Sequence, residues 1–454
     1  MAEELLQKAL ELLESRKYSE LRQILIEMEP FDVALLCEEL PQEKLPVVYR
    51  ILPKEHAAET FVELDTEKQE FLIASFSDRE LREVLKELYL DDTVDIIEEM
   101  PASVVRRILN TSTPENRAEI NALLQYPEDS AGSIMTTEYV RLKKGMTVSD
   151  AFARIRATAV DKETIYTCYV TEDNRTLLGV ITVKDLLLHP YETVIGDIMD
   201  DNVIYASTDE DKESVAEKFQ KYDLTALPVT DHEMRLVGIV TVDDAIDVIT
   251  EEATEDIEKM AAITPSDKPY LKTSAFSMFL KRIPWLLLLM FSATFTGAIL
   301  NSFEMSLAAW PVLTAFIPML MGSGGNAGSQ SSVAVIRGLA LNEIEMRDFF
   351  RVVWKETRVS SLSAVALGGA TFAKLMLIDK MLMGIDISVE IALVVSITLA
   401  IIIIVAKLVG CMLPLLAKCM RLDPAVMASP FITTIVDAIS LLVYFGFATV
   451  MLGI

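Results

Sequence analysis

Three histidines, four cysteines and three tryptophans are all that 454 residues contain of those types. The cysteines, Cys37, Cys168, Cys411 and Cys419, have neither metal-site spacing nor the density of a disulfide framework, so they read as buried thiols in a reducing compartment. The histidines, His56, His189 and His232, all precede residue 281, which leaves no H-E-x-x-H motif for an intramembrane metalloprotease in the apolar part that follows. Met1 to Tyr18 lacks a basic stretch followed by an apolar one, so it reads as an acidic amphipathic helix rather than a signal peptide. Basic residues are scarce where acids are dense. Residues 281–454 carry 12 Lys/Arg against 10 Asp/Glu, which leaves 29 against 58 for residues 1–280. So acidic a half argues against nucleic acid or anionic lipid as its partner and favours cations.

The mean hydropathy of +0.34 sits beside a net charge of −27 because the two properties occupy different ends of the chain. Residues 1–130 read as short amphipathic helices punctuated by Pro and Asp. D-V-A-L-L-C-E-E-L-P (residues 32–41) is echoed by D-T-V-D-I-I-E-E-M-P (residues 92–101), as in a superhelical solenoid. Residues 131–250 switch to β-branched strands alternating with helices, with an internal repeat. Y-V-T-E-D…L-L-G-V-I-T-V-K-D-L-L (residues 169–187) matches P-V-T-D-H…L-V-G-I-V-T-V-D-D-A-I (residues 228–246), and Ile134-Met135 is echoed by Ile198-Met199. The doubled G-h-h-T-x-x-D, Gly179/Thr182/Asp185 and Gly238/Thr241/Asp244, resembles a tandem CBS pair. Residues 251–280 form an acidic connecting helix, read as starting at Thr250 and ending before Pro265, and a polar linker.

Five apolar runs occupy residues 281–454: Ile283–Phe303, Met305–Ile336, Val359–Ile378, Ile391–Ala417 and Pro424–Ile454. Each is long enough to cross a bilayer core of about 30 Å once. Lys281/Arg282, the Arg337–Arg358 group and Lys418/Arg421 fall on one side, whereas the loops around Asn301–Glu304 and Asp379–Glu390 hold little basic charge. The positive-inside rule therefore predicts a cytoplasmic N-terminal half and an external C-terminus.

Asp437 lies thirteen residues after Pro424 in a run with no other charge, where an ionised carboxylate costs about 2.5–3.5 kcal/mol. It is expected to face an ion path or a partner, and Lys407 is the one candidate partner within the runs. Thr433 and Pro430 precede it at one-turn intervals. The stretch P-M-L-M-G-S-G-G-N-A-G-S-Q-S-S (Pro318 to Ser332) has two readings. It either loosens the helix so that backbone oxygens and polar side chains meet a cation, or forms a small-residue packing seam. A single carboxylate supported by carbonyls and an amide suits a hard, largely hydrated dication such as Mg²⁺, and a two-fold axis would double the charge.

With these parts in this order, the chain resembles the MgtE family of bacterial magnesium channels along essentially its whole length. G-G-N-x-G-x-Q stands as Gly324, Gly325, Asn326, Gly328 and Gln330, and P-x-x-T-x-x-x-D as Pro430, Thr433 and Asp437. Some members have Asn where Ser329 stands. The resemblance implies a multidomain membrane protein: an all-α superhelical N domain, an α/β CBS pair, an acidic plug helix and five transmembrane helices. It further implies a non-enzymatic homodimer in the inner membrane, with Asp437 on hydrated Mg²⁺ in the pore. Closure by cytoplasmic Mg²⁺ is implied at Glu59, Asp91, Asp95, Glu213, Asp223, Asp244, Asp247, Glu255 and Asp256. Thr182/Asp185 and Thr241/Asp244 are candidates for the ribose of an adenine nucleotide such as ATP. An H⁺- or Na⁺-coupled divalent-cation transporter is the alternative, since an intramembrane Asp can relay protons.

Overall fold

The computed structural model describes residues 2–159, 162–266, 270–304, 310–427 and 429–452. It divides into two units, Met1–Ile249 and Thr250–Ile454.

In the first unit, helices or helical turns begin at Tyr18, Pro30, Gln42, Lys54, Thr66, Asp78, Leu90, Ala102 and Pro114, one every twelfth residue. A helix of about ten residues and a two-residue step make each repeat. The echo at residues 32 and 92 is therefore five such steps. Each helix packs on the second one along: Pro30–Glu39 on Lys54–Val62, that on Asp78–Glu87, and that on Ala102–Thr111. Ser77 caps Asp78–Glu87 through a reciprocal bond with Glu80, and Thr113 caps Pro114–Leu123. Val33, Ala34, Phe61, Leu72, Leu81 and Ile108 form the interior, continuous with Val215, Leu227 and Val240 of the second CBS half.

Two three-stranded sheets follow. The first has β1 (Tyr139–Lys143) parallel to β2 (Thr164–Thr171), with β3 (Leu177–Thr182) antiparallel. The second repeats this as β4 (Ala206–Ser207), β5 (Ala226–Thr230) and β6 (Leu236–Thr241). The halves complete each other crosswise. Thr136 exchanges backbone hydrogen bonds with Ile239 of β6 at 2.8 and 2.9 Å, and Asp200 does the same with Val180 of β3, both at 2.9 Å. The repeated glycines are explained here: a Cβ at Gly238 would lie 2.6 Å from Met135 Sδ, and one at Gly179 2.8 Å from Met199 Sδ.

The last helix of the pair does not stop at Thr250. Val242–Met260 is one helix of 19 residues, so the acidic connecting helix continues the CBS helix without a break.

In the second unit, Ala275–Ser302, Met346–Leu382, Val389–Cys419 and Pro424–Met451 are, among the described residues, helical, long and apolar enough to cross a membrane. The stretch Ile317–Ala340 is a fifth long helix, of 24 residues, whose Gly, Ser, Asn and Gln content lowers its hydropathy. Residues 305–309, at the start of the second apolar run, lie outside the described residues.

Candidate functional site

Of the two readings of the glycine stretch, loosening of the helix does not occur. Ile317–Ala340 is α-helical throughout, and its glycines form the packing seam instead. A Cβ at Gly324 would lie 2.8 Å from Ile402 and 2.9 Å from Ser440 Oγ, and one at Gly325 would meet Thr433 at 3.1 Å. At Gly328 a Cβ would meet Ile432 at 2.8 Å and the Ala406 carbonyl at 3.1 Å, while one at Gly410 would fall 2.1 Å from the Gly328 carbonyl oxygen. The intrinsic cost of glycine in a helix is offset by backbone-to-backbone approach, which is how small residues act in membrane helices. Asn326 and Gln330, four apart, stay on the exposed face of the same helix.

The seam's partner is the helix Ser429–Leu452, which carries Asp437. Thr433 packs on Gly325, and the Pro430 carbonyl accepts a bond from the Thr434 hydroxyl at 3.0 Å. Asp437 is half-buried, and its Oδ1 is buried with no hydrogen-bond partner among the described residues. Lys407 is buried on Val389–Cys419, but among the described residues no ion pair joins it to Asp437. The aspartate is therefore held by packing around it and left with an open acceptor.

The acidic sites of the first unit gather at the first turn of Leu90–Glu99. Asp91 is 8 % exposed, and its Oδ1 is buried without a partner. Burial first, then Asp92 and Asp243, raise its pKa to about 7. Burial, then Asp91, also lifts Asp244 to about 7, so a carboxylate of the second CBS half faces the N domain. Asp92, which sequence reasoning did not select, is raised to about 7 by burial and then by Asp244. Asp95 is exposed on the same helix, and Glu59, also exposed, adds its field at Tyr89. Asp247 is exposed, and burial, followed by the Asp247 charge, raises the pKa of Glu63.

Two further acids were missed. Glu138 is raised to about 7 and Glu163 to about 9, each by burial first and then by Asp91. They stand at the starts of β1 and β2, where only strand pairing brings them together, and no helical spacing announces them. Among the described residues no three His, Cys, Asp or Glu side chains enclose a metal site.

Glu213 and Asp223 lie apart from this group, both exposed. Glu213 is in the first turn of Lys212–Tyr222 and Asp223 is its left-handed C-cap at φ 51°. Glu255 and Asp256 belong to the second unit. There Lys259 bridges Glu255 and Asp423, each at 2.7 Å, and burial followed by the Asp423 charge raises the Asp256 pKa. Sequence reasoning passed over Lys259 and Asp423. In the CBS pair, the Thr182 and Thr241 hydroxyls each donate to the carboxylate three residues on, Asp185 and Asp244.

Comparison with known proteins bears on the whole chain. The family model for divalent cation transporters matches residues 317–447, that for the MgtE intracellular N domain residues 28–129, and that for CBS domains residues 131–192 and 195–251. The magnesium transporter MgtE of Thermus thermophilus is 39 % identical over 100 % of this chain and 99 % of its own length. This chain belongs to the MgtE family. The Bacillus subtilis magnesium transporter MgtE is 32 % identical over 98 % of this chain and 97 % of its own. Among solved structures, the cytosolic domain of an Mg²⁺ channel MgtE in complex with ATP is 42 % identical, with a TM-score of 0.51 over 55 % of this chain and 100 % of that one. The soluble part of a magnesium transporter is similar at 32 % identity and a TM-score of 0.52, over 56 % of this chain and all of that one. The MgtE-family parts thus follow one another here in the order helical N domain, CBS pair and helical apolar region.

Proposed function

We propose that this MgtE-family chain carries Mg²⁺ across the inner membrane and is closed by Mg²⁺ bound to its acidic cytoplasmic half. The observation that carries the reading is Asp437: a carboxylate deep in an apolar helix, packed beside the glycine seam, with a buried oxygen left free to accept. A fully hydrated dication presents only donors, in the form of its water, and such an oxygen is their complement. Two chains about a two-fold axis bring two Asp437 side chains to one ion, which supplies the charge a single chain lacks. Asn326 and Gln330, exposed on the glycine helix, are in this reading the polar groups that face that axis.

In this reading, five helices cross the membrane, the N-terminus is cytoplasmic, the C-terminus is outside, and no catalysis takes place. The parts are residues 1–130, 131–250, 251–280 and 281–454. Mg²⁺ at Glu59, Asp91, Asp95, Glu213, Asp223, Asp244, Asp247, Glu255 and Asp256 draws acidic surfaces together and holds the connecting helix in its closing position. The relative crystallised with ATP supports an adenine nucleotide in the CBS pair, at Thr182 and Asp185. Asp244 faces the aspartates of the N domain, an environment hostile to phosphates, so Thr241/Asp244 is the poorer half-site.

Recording from reconstituted protein under opposed Mg²⁺ and H⁺ or Na⁺ gradients tests the reading. Currents reversing at the Mg²⁺ equilibrium potential are expected. Reversal that follows the H⁺ or Na⁺ gradient would make the protein a coupled transporter.

A further inference from the structure

A hydroxyl inside a membrane helix ordinarily bonds back to the carbonyl four residues earlier. Thr434 does so to Pro430 at 3.0 Å, Thr357 to Val353 at 2.7 Å and Ser363 to Val359 at 2.9 Å. Ser440 on the Asp437 helix and Thr398 on Val389–Cys419 depart from this. They are 1 and 0 % exposed, and among the described residues neither hydroxyl oxygen has a hydrogen-bond partner. The two come from different helices, yet both belong to the same stretch of the glycine seam. A Cβ at Gly324 would lie 2.9 Å from Ser440 Oγ and 2.8 Å from Ile402, and Thr398 precedes Ile402 by one turn on the same helix face. Having no side chain, Gly324 leaves the Ser440 hydroxyl the room that a methyl group would fill.

Asp437 stands one turn before Ser440, and its Oδ1 is also buried without a partner among the described residues. One turn after Ser440 the polar side chain is satisfied, since the Tyr444 hydroxyl donates to the Leu313 carbonyl at 3.0 Å. Two hydroxyls and a carboxylate oxygen thus border one part of the seam unpaired, and buried polar groups are costly in that state. A buried water typically makes about three hydrogen bonds to groups of this kind. We propose that Ser440 and Thr398 hold one water behind Asp437, and that this water donates to Oδ1 and orients the carboxylate toward the ion. A carboxylate has about four acceptor positions, so one donor from behind leaves the others for the water around a hydrated dication. Ser440 and Thr398 are therefore positioning residues, which act through Asp437 and do not touch the ion. The water rests on the reading of Asp437 as the ion-binding carboxylate and supplies what orients it.

The test measures Mg²⁺ uptake into proteoliposomes holding the full-length chain, for wild type, S440A, T398V, T398S and S440A/T398V. S440A and T398V should each raise the Mg²⁺ concentration for half-maximal uptake about tenfold, through loss of a hydrogen-bonded link to a charged group. Their thermal transitions in detergent should stay in place or rise, because neither hydroxyl bonds to the protein. T398S keeps the oxygen and loses the methyl group, so it should retain the wild-type concentration. The double variant should be no worse than the more affected single one, because both hydroxyls serve one water. Wild-type behaviour of S440A and T398V, effects that multiply in the double variant, or a T398S as impaired as T398V would each overturn the shared water and leave Asp437 on the ion's path. Full uptake by D437A would instead remove the reading on which the water rests.

Discussion

Lys259 Nζ lies 2.7 Å from Asp423 Oδ2 and, on its other side, 2.7 Å from Glu255 Oε1. The ammonium thus bridges two acids, Glu255 and Asp423, lies within the field of Asp256, and ties the connecting helix to the turn that leads into the Asp437 helix. Asp423 also accepts the Ala425 N–H at 2.8 Å, so the pair grips the start of that turn. Replacing Lys259 by Met should leave the three acids repelling one another. A partly exposed ion pair is worth about 0.2–1 kcal/mol, so K259M should need up to about fivefold more cytoplasmic Mg²⁺ to close, with unitary conductance unchanged. Open probability against Mg²⁺ reads this directly, and an unshifted midpoint would deny the lysine its bridging role.

The raised carboxylates of the N domain–CBS contact give the first unit a pH dependence of definite sign. Asp91 at about 7 and Glu163 at about 9 bind protons more readily when packed than in a free chain. The packed state therefore carries no penalty below the ordinary carboxylate range, at about pH 4. It loses stability progressively as pH rises from about 4, until about 7 for Asp91 and about 9 for Glu163, by up to about 1.4 kcal/mol per pH unit for each independent group. Without divalent ions, thermal unfolding should move to lower temperature between about pH 5 and 9. Saturating Mg²⁺ should flatten that slope, and an equal slope with and without Mg²⁺ would mean that the acids do not meet the ion.

Asp437→Ala should abolish Mg²⁺ uptake while leaving the thermal transition of the membrane helices in place, because Oδ1 bonds nothing among the described residues. Asp437→Asn keeps a hydrogen-bonding group and loses the charge, so it should retain a small fraction of uptake. Growth of a Mg²⁺-transport-deficient strain on D437A would show that the carboxylate is not on the ion's path.

Two glycines make a matched pair for the packing seam. Gly410→Ala places a methyl group 2.1 Å from the Gly328 carbonyl oxygen and must push two helices apart, at a cost of about 1–3 kcal/mol or more. Gly446, inside the Asp437 helix with nothing within 4 Å of its would-be Cβ, should tolerate Ala or gain up to about 1 kcal/mol. Thermal stability in detergent separates them, and equal effects would refute the seam.

The sequence displays what recurs along it and conceals what only folding brings together. The solenoid shows in the echo of residues 32 and 92, and the crossed CBS halves show in the doubled glycine and Ile-Met steps, because each reports a repeated local geometry. Asp437 stands out because its span holds no other charge. The glycine helix is half legible: composition signals close approach, but whether a helix survives depends on Ile402, Val436 and Gly410, far away in sequence. Glu138, Glu163, Lys259 and Asp423 carry no pattern at all. They are ordinary surface-type residues until strand pairing or a returning helix presents them to a partner.

The sulfur-on-glycine contacts of Met135 with Gly238 and Met199 with Gly179 make each CBS half the missing edge of the other. Two half-domains expressed as separate chains should each lack a completed sheet and find it only on mixing. Each half borrows its border from its twin, so a substitution that breaks one border should weaken the sheet of the other half as well.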